Sequence, residues 1–125
     1  MMINIHAAWI GFLLGCLAGA VPGLFFHDPN WLGGYSSWTR RMIRLGHISF
    51  FGIGLLNLSL AMTARALGVD DGLVLPSVLL IVGAVTMPLV CYLSAWKPDF
   101  RNAFFVPALS VILAVALFLW RIART

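Results

Sequence analysis

Glutamate is absent from this chain, lysine occurs once, at Lys97, and the only carboxylates are Asp28, Asp70, Asp71 and Asp99. Charged side chains make up 10% of the 125 residues, against about a quarter in ordinary soluble domains. A water-soluble fold needs polar groups to cover its surface, and here they are missing. With no paired carboxylates, no Ser-His-Asp set and no phosphate-binding loop, the sequence offers no catalytic constellation. A coupled carrier would want a carboxylate inside the membrane to bind and release its ion, and every Asp lies outside the apolar runs. Cysteine is scarce too. Cys16 and Cys91 sit inside apolar runs with no metal-ligand spacing and no disulfide framework, and read as small buried hydrophobes.

What is present is apolar: 62% of the residues are hydrophobic. Crossing ~30 Å of hydrocarbon takes about 20 residues of helix. Four runs meet that length, at 7–26, 45–64, 73–96 and 103–120, and none contains an Asp, Glu, Lys or Arg. The sequence therefore predicts an all-α integral membrane protein, a single transmembrane domain of four helices. Short loops imply two helical hairpins with both termini on one side. Trp9, Trp96 and Trp120 fall toward span ends and Trp31 and Trp38 in the first loop, where an indole keeps its body apolar and its N–H wet. Met1 to His6 carries no basic residue, so the Leu13-Leu14-Gly15-Cys16 box reads as part of an uncleaved span rather than of a secretory leader.

The net charge of +4 is placed at span ends rather than in an exposed stripe, which argues for anionic lipid headgroups as the partner and against nucleic acid. Loops 27–44 and 97–102 hold Arg40, Arg41, Arg44, Lys97 and Arg101, five basic residues against the three on the other side, Arg65, Arg121 and Arg124. The positive-inside rule then puts those two loops in the cytoplasm and both termini outside, in a plasma (inner) membrane. In the longer loop, Asp28-Pro29-Asn30 is expected to stop the first helix and Ser36 or Ser37 to restart the second. Lys97-Pro98-Asp99 is expected to make a tight turn.

Gly11, Gly15, Gly19 and Gly23 recur every four residues along the first span, forming a side-chain-free ridge that lets another helix approach closely. That other helix is either one of the chain's own or one from a second subunit. On the second span, His47, Phe50, Gly54, Asn57 and Ala61 fall within about 80° of one another, a small and polar face expected to point inward. Asn57 is the mid-span amide, expected either to bond a neighbouring helix or to cap a path for water or ions. Ser49, Gly52, Ser59 and Thr63 form a thin polar strip that reads as a pore lining or as a second packing face. Pro88 predicts a kink or a break in the third span.

His27 is the next step of the glycine ridge, and His47 lies one turn into the second span, so both fall near the same membrane boundary. Two facing imidazoles could hold a haem b or a metal ion, or relay a proton; they could equally be interfacial anchors. His6 and His27 flanking a span, with Arg40-Arg41 ahead of the next, bear a partial resemblance to the haem-binding membrane protoporphyrinogen oxidases. The carboxylate-rich surface of that family is missing, and the chain is not assigned to it. The functional expectation is an accessory or assembly subunit of a larger membrane complex, respiratory or haem- or metal-handling, with a membrane-protein partner or a second copy of itself. The alternative is a small channel or transporter.

Overall fold

The computed structural model describes all 125 residues. It contains four long helices and no strand: α1 (Met2–Gly23), α2 (Trp38–Leu67), α3 (Val74–Trp96) and α4 (Phe105–Ile122). All four are long and apolar enough to cross a membrane. The apolar runs place these helices well, but their ends differ from the expected spans for identifiable reasons.

Helix α1 begins several residues before Ala7, and its first turn is anchored because Asn4 is held inside the protein by bonds from two other helices. It ends at Gly23, ahead of Asp28-Pro29. Past Pro22-Gly23 the chain tightens into turns, with the Phe25 amide donating to the Pro22 carbonyl at 3.0 Å and the Asp28 amide to the Phe25 carbonyl at 3.2 Å. The turns swing Phe25 onto Trp31, with ring centroids 5.4 Å apart and nearly parallel.

Helix α2 starts where a serine can cap it. The Ser37 hydroxyl accepts from the Arg40 amide at 3.3 Å and donates to the Leu32 carbonyl at 2.7 Å, satisfying one of the orphan donors of the first turn. At 30 residues this helix is about 45 Å long at ~1.5 Å per residue, roughly half as long again as the hydrocarbon is thick. The stretch carrying Arg40, Arg41 and Arg44 thus extends beyond the apolar layer. At the other end Gly68 adopts a left-handed conformation (φ 64°), which lets the Val69 amide bond back to the Ala64 carbonyl at 2.9 Å. Val69 then packs with Ala64, Leu73 and Phe118, the hydrophobic contact that commonly accompanies such a cap. The next loop is tied to α4 by Arg121, whose Nε donates to the Asp71 carbonyl at 3.0 Å. Between α3 and α4, the expected tight turn is a six-residue 3₁₀ stretch, Pro98–Ala103.

The helices pack in chain order: α1 lies along α2, α2 along α3 and α3 along α4. Contacts between α1 and α3 are sparse, and α1 and α4 are not packed together. Each interface has a glycine where the backbones close up. A Cβ on Gly15 would fall 2.7 Å from the Phe51 ring, one on Gly46 2.9 Å from the Tyr92 ring, and one on Gly83 2.5 Å from a Val111 methyl. Leu60, Leu80 and Ala114 join α2, α3 and α4 in one small core. Only 25 of the residues are buried, and large apolar side chains such as Val74 (78% exposed) and Trp96 (80%) face outward. In water that surface would drive aggregation; in lipid it is at home.

Candidate functional sites

Helix α1 presents Asn4 at its first turn, α2 presents Asn57 and α3 presents Ser77 near its start, and the three side chains meet in the interior. Asn4 Nδ2 donates to Asn57 Oδ1 at 2.8 Å, and the Ser77 hydroxyl donates to Asn4 Oδ1. Asn57 Nδ2 donates to the Ile53 carbonyl at 3.0 Å and faces the Leu80 carbonyl at 3.4 Å. Asn4 and Asn57 are completely buried. A buried amide in an apolar setting must find partners, and these two find each other. The sequence placed Asn57 at mid-span and Asn4 outside the first span. Their direct bond puts them at one depth, a depth that span counting does not give. Asn4 could have been suspected from spacing, since Asn4, Ala8, Gly11 and Gly15 share one helical face.

The glycine ridge of α1 is used inside the chain. The two helices run antiparallel, Asn4 meeting Asn57 at one end and Gly19 meeting His47 at the other: a Cβ at Gly11 would meet the Phe50 carbonyl at 3.2 Å, one at Gly15 the Phe51 ring, and one at Gly19 the His47 ring at 2.5 Å. Gly54 answers from α2, where a Cβ would lie 2.8 Å from the Phe12 ring and 3.4 Å from the Ala8 carbonyl. Ala61 is buried. Gly23 has nothing within 4 Å. The ridge from Gly11 to Gly19 is therefore occupied by the chain's own second helix, and an outside partner must use another face.

His27 and His47 lie in different surroundings. His47 lies against Gly19 with its ring edge-on to Phe51, centroids 5.4 Å apart. It lines a recess of about 200 Å³ with Arg44, Pro22 and Phe26. His27 is exposed in the turns that follow α1, outside that recess. The physical reason is the early end of α1, which breaks the four-residue register before His27. No group of three or more His, Cys, Asp or Glu side chains that could hold a metal ion is gathered in the structure. In the strip expected to line a pore or form a second packing face, Gly52 and Ser59 are exposed, the Ser49 hydroxyl donates to the Gly46 carbonyl at 2.7 Å, and Ser59 and Thr63 line one small recess.

Two further features were not visible in the sequence. One is an apolar groove of about 500 Å³ between α1 and α3, with α2 behind it. Ala7, Gly11, Gly54 and Ala84 keep it open, and Ile10 and Leu89 are among its larger lining residues. Pro88 also lines it, within a third helix that runs unbroken from Val74 to Trp96, so the expected break is not there. The other is the environment of Arg40, which is only 4% exposed. Its guanidinium stands 5.4 Å from the Phe26 ring centroid, 5.5 Å from Trp31 and 5.8 Å from Tyr35, within cation–π range of all three. Arg44 stacks on the same Tyr35 ring at 4.2 Å and donates to the Tyr35 carbonyl at 3.0 Å.

The buried polar atoms left without a hydrogen-bond partner are Arg40 Nε, His47 Nδ1, Tyr92 Oη and Ser94 Oγ. All four belong to the first part of α2 or the last part of α3, which are joined by bonds from Trp38 Nε1 to the Ser94 carbonyl (2.8 Å) and from the Thr39 hydroxyl to the Ala95 carbonyl (3.3 Å). The buried polar groups at the Asn4 end of the protein are matched, and all four unmatched ones lie toward the Arg40 end. No known protein family, curated protein or solved structure matches the chain.

Proposed function

We propose that this protein is an accessory or assembly subunit of a larger membrane complex and acts by associating within the bilayer. Its four helices form two helical hairpins with both termini on one side of the inner membrane, and loops 27–44 and 97–102 face the cytoplasm. The observation that carries the reading is the groove between α1 and α3. Lipid removes the hydrophobic drive for helices to associate, so membrane helices join where small residues let backbones come close. The groove meets that requirement with Ala7 and Ala84. Because Gly11 to Gly19 already pack on α2, the partner helix belongs against the α1–α3 side rather than on the glycine ridge itself.

The test is native electrophoresis of membranes solubilised in mild detergent, comparing the wild-type chain with Ala84→Phe. The wild type is expected to migrate in an assembly larger than the monomer. The variant, whose ring fills the groove, is expected to fall to the monomer with unchanged far-UV circular dichroism. A wild type that is monomeric both in mild detergent and after crosslinking in intact membranes would end this reading. The absorption spectrum of the same sample checks the haem expectation directly, through the presence or absence of a Soret band.

A further inference from the structure

Arg40, Arg44 and His47 lie on one face of α2, spaced by four and three residues, which are neighbours on a helix surface. That face meets the end of α1: the Arg40 guanidinium sits over Phe26 and the His47 ring against Gly19. Arg40 is 4% exposed, and neither its Nε nor His47 Nδ1 has a partner. Asp28, the only carboxylate in loop 27–44, accepts from the Asn30 amide at 2.9 Å and forms no ion pair with either arginine. Two guanidiniums thus share one aromatic platform with no anion opposite them. A buried charge held in this manner is incomplete without a counter-charge.

We infer that the recess holds the phosphate of an anionic phospholipid, with Arg44 and His47, which line it, as the headgroup ligands and the buried Arg40 charge behind them as a positioning residue. Phosphate oxygens match the planar fork of arginine and accept charge-assisted hydrogen bonds from it. The recess beside His47 and Arg44 shares Ala18 and Pro22 with an open apolar groove of about 400 Å³ that runs on along Leu14, Leu17 and Val21. An acyl chain fits that path, and a free phosphate would leave it unused. A zwitterionic choline lipid is disfavoured by the same residues. The inward side of Phe26, Trp31 and Tyr35, where a trimethylammonium group would be caged, already holds the Arg40 guanidinium, whose charge would repel it. The inference depends on the chain lying in a bilayer and not on its having a protein partner.

Native mass spectrometry of the full chain in mild detergent tests it, with phosphatidylglycerol and phosphatidylcholine of matched acyl length. The wild type is expected to retain phosphatidylglycerol in preference to phosphatidylcholine. Arg44→Gln should reduce the retained fraction about 10-fold, the order expected for losing one charge-assisted hydrogen-bonding group, and Arg40→Gln, which removes the charge behind the recess, should reduce it by less. Arg41→Gln should leave it unchanged, since Arg41 is exposed and outside the cluster. Should Arg40→Gln fail to fold, Arg44→Gln and His47→Gln decide, because both residues are partly exposed. Equal retention of the two lipids, wild-type retention by Arg44→Gln, or an equal loss in Arg41→Gln would overturn the site in favour of a diffuse basic surface. Displacement of the lipid by inorganic phosphate at equal concentration would overturn the lipid as occupant. Resistance of the protein to alkaline carbonate reports on bilayer insertion separately, so that failure is distinguishable.

Discussion

Asn57→Ala is the most direct probe of how this bundle is held together. The substitution removes the Asn4–Asn57 bond at 2.8 Å and the weaker approach to the Leu80 carbonyl at 3.4 Å. Interhelical hydrogen bonds in membranes contribute ~0.6 kcal/mol on average and at most about 1.7. The amide left behind on α1 costs more than the bond itself. Asn4 Nδ2 would keep only its 3.4 Å approach to the Ser77 carbonyl, and an unsatisfied buried donor costs about 1–3 kcal/mol. Together these predict a loss of about 2 kcal/mol for Asn57→Ala, and a similar loss for Asn4→Ala by the same argument. The double variant leaves no orphaned amide, so its loss should fall short of the sum by about 1 kcal/mol. The assay is reversible unfolding from mild detergent by titration with sodium dodecyl sulfate, followed by far-UV circular dichroism as a double-mutant cycle. Ser59→Ala, at an exposed position, serves as the neutral control. Strictly additive losses, or single losses no larger than that control, would refute the claim that these two amides satisfy each other in the interior.

Three other outcomes follow from the same geometry. Gly19→Ala should destabilise the protein by about 1–3 kcal/mol in that assay through overpacking, because the new methyl would meet His47 at 2.5 Å, whereas Gly23→Ala, with nothing within 4 Å, should be close to neutral. Gly68→Ala should lose roughly 1 kcal/mol, since its left-handed φ of 64° disfavours a side chain; loss of protection at the Val69 amide in hydrogen exchange would report the opened cap. Single cysteines at Asn30 and Asp99, in a background with Cys16 and Cys91 replaced, should resist a membrane-impermeant maleimide in intact cells, while one at Thr125 should react; the reverse pattern would invert the proposed orientation.

What this chain determined on its own is where its helices lie. The match between a run of apolar residues and the thickness of hydrocarbon is a property of each segment taken alone, so the four helices were legible at 7–26, 45–64, 73–96 and 103–120 without any knowledge of their neighbours. The Ser37 cap was local too, and so was the ridge of Gly11, Gly15 and Gly19. Tertiary structure decided which surfaces meet, because periodicity names a face but never its partner. It gave the glycine ridge to α2, paired Asn57 with an Asn4 that hydropathy had left outside the membrane, and ended α1 before His27, which lies exposed in the turns beyond it. It also folded Phe26, Trp31 and Tyr35 around Arg40, an arrangement drawn from two segments and a loop that no single stretch of sequence contains.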